Sequence, residues 1–223
     1  IDPGWFSQAF ALHFCSVSLV DSPMRYAHLA AITAAREAGA ILSFDPNLRF
    51  PLWPDREQLR QTVWQFLPLT HILKLSDEEL PFLTGTEDIE AALPALFTGD
   101  VQLVLYTCGS KGARAYTRTA SARARSPKVT AVDTTGAGDG FIGSFLWQGR
   151  RDRRRAAKAF PQAPDRVSDL FQPLLCLQRA APRCARQLPH LGADGAARNR
   201  FSPALRANLQ YILYFLTFIC YIV

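Results

Sequence analysis

Between Leu12 and Gln148 the chain alternates short apolar runs with amphipathic segments, and no other feature constrains its fold as much. "LHFCSVSL" (12–19), "AILSFD" (40–45), "HILKLS" (71–76) and "VQLVLYTC" (101–108) each read as a strand, being short, apolar and bounded by turn residues. The intervening segments read as helices. Asp21-Ser22-Pro23 places a cap and a first-turn proline before alanine-rich turns that Gly39 stops. "DREQLRQTVWQFL" (55–67) sets Leu59, Val63 and Phe66 on one helical face. "DEELPFLTG" (77–85) predicts a short helix interrupted by Pro81, and "DIEAALPALF" (88–97) a further helix. Gly109-Ser110-Lys111-Gly112 then turns the chain back into a strand at "ARAYTR" (113–118). Strands alternating with helices predict an α/β layer with a mainly parallel sheet.

In such folds ligands gather at the carboxyl ends of the strands. Four unusual polar clusters sit at predicted strand ends: "DPNLR" (45–49), "KLSDEE" (74–79), "TCGSKG" (107–112) and "VDTTGAGDGF" (132–141). The last runs from a short strand, "KVTAV", through glycines into a helix whose Phe141, Phe145 and Leu146 can face a core. Glycine at 136 and 138 lets backbone N–H groups converge, and the positive end of a helix begins there. Together they form a cradle for a phosphoryl group, with Asp139 in the first helical turn placed to take a proton from an attacking hydroxyl. A glycine turn followed by an ordinary first-turn acid explains the same residues. The stretch is neither a Walker A loop, since no Lys-Ser/Thr follows the glycines, nor a complete GxGxxG fingerprint. Lys74 and Lys111 read as solvated lysines at a strand end and a turn, and Cys15 and Cys108 as small core residues.

"AVDTTGAGDGFIGSF" resembles the C-terminal signature of the ribokinase-like (PfkB) carbohydrate kinases. "SFDPNLRFPLW" (43–53) and "ILKLSDEELPFLTG" (72–85) extend the likeness, in family order, to the bacterial fructokinase branch. The resemblance implies a ribokinase-like doubly wound sheet and ATP-dependent phosphorylation of a sugar hydroxyl, D-fructose to fructose 6-phosphate being the family expectation. Ribose-like, keto-deoxy-gluconate-like and nucleoside acceptors share the cradle. It implies Asp139 as the base and Gly136, Ala137 and Gly138 as the anion hole. Ser76 and Glu79 fall where the family keeps an Asn-x-x-Glu pair that organises Mg²⁺ and its waters. Glu79 has a rival reading as a helix N-terminal acid beside Asp77 and Glu78. Thr107, Gly109 and Gly112 match the nucleotide-side turn. Asp45, Asn47 and Arg49 would lie near the transferring phosphoryl group, with Arg49 either catalytic or a salt bridge holding its loop. The intact family member would be cytoplasmic and form a homodimer.

The family's first strands, its Gly-Gly/Asn sugar motif, its acceptor-orienting aspartate and its β lid have no counterpart here, which predicts a partial sugar-kinase domain over 1–149 with weak or no turnover. The alternative is a remnant that binds nucleotide or a partner without catalysis. Past Gly149 the text changes abruptly. Residues 1–149 hold 12 Lys+Arg against 15 Asp+Glu, net −3, whereas residues 150–223 hold 13 against 4, net +9. The overall +6 is therefore a property of the tail. No aromatics interleave with Arg150–Arg155, and a nucleic-acid partner is not expected. Repeated prolines would break helices there, and the apolar end, "YILYFLTFICYIV" (211–223), is shorter than the ~20 residues of a membrane span. The tail reads as the product of a shifted reading frame, of doubtful native structure and with no membrane partner expected, the alternatives for its apolar end being a weak membrane or interface segment and a packed terminal element. Five scattered cysteines and no CxxC predict a reduced protein lacking structural zinc.

Overall fold

A computed structural model describes residues 1–126 and 136–151, apart from the side chains of Gln148 and Arg151. The short strand and the Val132–Thr135 part of the glycine-rich stretch, and the basic tail beyond Arg151, lie outside the described residues. Six strands form one sheet in chain order: β1 (Ala11–Cys15), β2 (Ile41–Asp45), β3 (Ile72–Ser76), β4 (Leu103–Thr107), β5 (Ala113–Tyr116) and β6 (Ser121–Ala124). β1 to β4 run parallel, while β5 and β6 are antiparallel additions. The helices are α1 (Pro23–Glu37), α2 (Arg56–Phe66), α3 (Leu80–Thr84), α4 (Ile89–Leu96) and α5 (Ala137–Arg151).

The structure departs from the sequence reading at three elements. β1 ends at Cys15 and passes into a 3₁₀ turn over Ser16–Ser18. Pro81 opens α3 instead of interrupting it, because the first-turn position needs no N–H donor. β6 was not expected: "SARA" has no apolar run, and only its alternation and its pairing with β5 make it a strand.

The period of two along each parallel strand divides the side chains between two layers. Leu12, Phe14, Leu42, Phe44, Leu73, Leu75 and Val104 join one core with Ile32 and Ala35 of α1, Leu59, Val63 and Phe66 of α2, and Leu80, Leu83 and Leu96. Phe14 and Phe44 stack there with ring centroids 4.8 Å apart. Asp55 caps α2, its Oδ1 accepting from the Gln58 N–H at 2.7 Å. The opposite face meets α5: Ala11, Ile72, Leu103 and Leu105 pack with Ile142, Phe145 and Leu146.

On that second face the chemistry changes along the strands. Their amino-terminal positions are apolar, whereas the next positions of the same register are His13 and Cys15, Ser43 and Asp45, Lys74 and Ser76, and Thr107. A polar band thus crosses the sheet near its carboxyl edge. Within it His13 Nδ1 and Ser43 Oγ form a buried hydrogen bond of 3.0 Å. Burial, then the nearby Lys74 charge, push the His13 imidazole from its ordinary 6.5 down to about 4.

The β4–β5 turn needs glycine for unequal reasons. Gly109 adopts φ +49° with open space where a Cβ would stand. Gly112 adopts φ +97°, and a Cβ there would overlap the Ala124 carbonyl oxygen and approach Ser126 N at 2.9 Å. Gly112→Ala is therefore expected to destabilise the sheet by roughly 3 kcal/mol and to open the β5–β6 hairpin, against about 1 kcal/mol for Gly109→Ala; urea midpoints of the two variants test the order. A second expectation follows from His13. Its folded value lies below its unfolded one, so its contribution is complete above pH 6.5 and is lost as pH falls toward 4, when the unfolded chain takes up the proton first. The loss reaches up to about 3 kcal/mol. Stability of His13→Asn should fall less steeply over that interval, as read by denaturation at successive pH values.

Candidate active site

The polar band ends under the start of α5. Gly136 takes φ +75°, a left-handed turn that a side chain would strain, and its carbonyl accepts the Gly140 N–H at 2.8 Å. A Cβ on Gly136 would meet nothing within 4 Å, so its glycine answers to backbone conformation alone. Gly138 differs: a Cβ there would stand 3.0 Å from Lys74 Nζ. Ala137 begins α5, and Asp139, exposed in its first turn, lies close enough for its negative charge to raise both the Asp45 carboxyl and the Cys15 thiol.

Lys74 overturns its sequence reading. It is not a solvated strand-end lysine but is 6% exposed, the one buried lysine or arginine among the described residues. Its Nζ stands 2.8 Å from Asp45 Oδ2. The usable signal was register: in "ILKLS" Lys74 shares a face with Ile72 and Ser76, beneath α5. Burial is the largest influence on Asp45 and pushes its carboxyl up to about 7, with Glu79 and Asp139 adding to the rise and Lys74 opposing it. The short contact and the deep burial of both partners identify the two as a pair.

The Asp45 end of β2 is shaped by an Asx turn. Asn47 takes φ +45°, unusual for a residue with a Cβ, and donates its N–H to Asp45 Oδ1 at 3.2 Å. Arg49 is exposed, with Nη1 donating to the Leu48 carbonyl at 3.4 Å, and it makes no ion pair among the described residues. Its charge nonetheless acts on Cys15. Burial first, with Asp45 and Asp139 adding, pushes the Cys15 thiol up to about 11, so it stays protonated and is no nucleophile at neutral pH.

Glu79 joins two of the clusters. It is buried; Oε2 accepts from Ser76 N at 2.9 Å and Ser76 Oγ at 2.8 Å, while Oε1 accepts from Leu48 N at 3.1 Å. Ser76 Oγ in turn accepts the Glu79 N–H at 3.3 Å, a reciprocal box at the start of α3, so the helix-terminal reading of Glu79 stands beside its bond to the Leu48 N–H. The carboxylate ties the turn after β3 to the loop after β2. Thr107 stands beside Ser76 in the β3–β4 register, and its carbonyl accepts the Asp77 N–H at 2.9 Å. Gly109 and Gly112 close the adjoining turn, where Gly112 is required by the approach of β6.

The described residues hold no cluster of three or more His, Cys, Asp or Glu able to cage a metal, and no helix among them is long and apolar enough to cross a membrane. Asp45 is paired with Lys74, and both Glu79 oxygens accept from protein donors. That donor set fits a magnesium ion held mainly by water and phosphate, the usual habit of Mg²⁺, and not an all-protein site.

The chain resembles fructokinase-1 of Oryza sativa subsp. japonica, with 44% identity over 140 residues, 62% of this chain and 43% of the relative. The fructokinase of Vibrio cholerae O395, solved with fructose, ADP and calcium, superimposes with a TM-score of 0.63 at 34% identity, covering 74% of this chain and 51% of that one. Aminoimidazole riboside kinase from Salmonella enterica gives a TM-score of 0.62 at 28% identity, over 76% of this chain and 55% of that one. The chain thus spans less than half the length of that curated relative. The family model described as pfkB family carbohydrate kinase matches residues 2–152, and the chain belongs to that family.

Proposed function

We propose that this chain forms the nucleotide and phosphoryl-transfer part of an ATP-dependent sugar kinase, with D-fructose as acceptor and fructose 6-phosphate as product. The observation that carries the reading is the meeting of three sequence-distant clusters at one strand edge: Asp45 and Lys74 form a buried pair, and Lys74 Nζ lies against Gly138. Fructose is preferred because, between the two solved structures, the Vibrio cholerae fructokinase is 34% identical to this chain and the aminoimidazole riboside kinase 28%. A nucleoside acceptor is the second choice that this latter likeness leaves.

In the proposed chemistry the backbone N–H groups of Gly136, Ala137 and Gly138, at the positive end of α5, receive the charge that develops on the transferring phosphoryl group. Asp139 accepts the proton of the attacking sugar hydroxyl. An exposed carboxylate suffices, since proton removal has only to accompany a loose, largely dissociative transfer. Ser76 and Glu79 would hold the waters of a magnesium ion, which when bound supplies charge neutralisation at the phosphate oxygens. The turn of Thr107, Gly109 and Gly112 would flank the nucleotide, and Arg49, free of ion pairs among the described residues, would reach the phosphates from the loop after β2.

Asp139→Asn in the protein carrying this chain is expected to lower fructose-dependent ATP consumption by about 10³-fold while leaving Mg-ADP affinity within about threefold. Parallel loss of binding and turnover would assign Asp139 to holding the fold. Full activity in the variant would remove it from the chemistry.

A further inference from the structure

We propose that Lys74 is a positioning residue of this site: its buried ammonium, anchored on Asp45, supplies the fixed positive charge beneath the first turn of α5, and Gly138 is glycine so that this charge can lie there. The inference rests on the kinase reading above and extends it to a residue that neither the cradle nor the magnesium pair includes.

Three observations converge. The first is charge. Asp45, Glu79 and Asp139 interact electrostatically, and the latter two raise Asp45. A cradle fringed by carboxylates is a poor place for a polyphosphate unless a cation stands behind it. Among the described residues Lys74 is the only buried lysine or arginine available for that task.

The second is geometry. Lys74 Nζ is 2.8 Å from Asp45 Oδ2, and a Cβ at 138 would come within 3.0 Å of the same nitrogen and 3.6 Å of Lys74 Cε. Neither Gly136 nor Gly140 would meet anything within 4 Å if given a side chain. Gly138 is therefore the member of the cradle whose missing side chain makes room for a neighbour, and that neighbour is the ammonium. An ammonium has more than one N–H to give, and the contact with Asp45 occupies one direction.

The third is rigidity. Lys74 lies inside β3, one step beyond the Phe44↔Leu73 pairing that sets β2 against β3, so Asp45 faces it across the ladder. The charge is fixed by sheet register and needs no reorganisation when a phosphoryl group arrives, the condition under which electrostatic stabilisation is most effective. A flexible surface lysine would lack this property.

The test compares Mg-ADP with its triphosphate analogue, adenylyl imidodiphosphate, by calorimetry on the full chain and on Lys74→Met. The chain is expected to bind the analogue more tightly than ADP. Lys74→Met should abolish that preference, by about tenfold or more, while leaving ADP affinity within about threefold. Because the single variant strands Asp45 without its partner, Asp45→Asn/Lys74→Met serves as the second variant: it should regain the thermal stability lost in Lys74→Met but not the preference for the analogue. Unaltered preference in either variant would overturn the Lys74 assignment alone. So would equal loss of affinity for both nucleotides in a folded variant, the mark of a purely structural pair, or equal binding of the two by the parent. A parent chain that binds neither nucleotide would overturn the kinase reading and this inference together.

Discussion

A lysine and an aspartate removed from water in the middle of a parallel sheet cannot be left apart, and the pairing of Lys74 with Asp45 governs the architecture around them. An unpaired charge at such depth costs several kcal/mol, about 3–5 when one partner of a buried pair is removed. The pair therefore fixes the end of β2 against the interior of β3. It also sets how near α5 can come, since the first turn of that helix rests against the ammonium at Gly138, the cradle glycine at which a Cβ would meet it. An apolar pair of the same volume would pack at least as well. The retention of charge here is better understood through what it offers a phosphate than through what it contributes to folding.

The same sheet face carries two different surfaces within a few residues. Near the amino ends of the strands Ala11, Ile72, Leu103 and Leu105 receive Ile142, Phe145 and Leu146, and this contact holds the body of α5 down. Near the carboxyl ends the facing positions are polar, and α5 presents glycines and Asp139. One helix is thus anchored by its apolar middle and offers its positive end above a strip of hydrogen-bonding groups. Glu79 adds a cross-brace by binding Ser76 and the Leu48 N–H at once, so the loops after β2 and β3 cannot move independently. This positional coupling is what a reaction dependent on alignment requires.

Much of this was legible in the sequence because it rests on local pattern. The apolar runs, the Asp21-Ser22-Pro23 start and the Gly39 stop placed α1, α2, α4 and the parallel strands within a few residues. The polar clusters at strand ends were visible for the same reason. What escaped were properties created by tertiary register. Lys74 looked like a solvated lysine because its partner lies 29 positions earlier and its burial depends on α5. Glu79 looked like one of several acids before a helix; the Ser76-x-x-Glu79 spacing is a local sign of its turn back to Ser76, but nothing local reveals its reach to Leu48. β6 escaped because pairing with β5, and not composition, makes it a strand.

If the phosphate site lies at the carboxyl edge of β1–β4, beneath the start of α5, a crystal structure of the protein with adenylyl imidodiphosphate tests it most directly, with manganese replacing magnesium and located by its anomalous signal. The γ-phosphate should then lie beside the backbone of Gly136–Gly138, with the metal joined to Glu79 through water. A triphosphate bound on the opposite face, among the side chains of α1 and α2, or a metal coordinated away from Ser76 and Glu79, would contradict it.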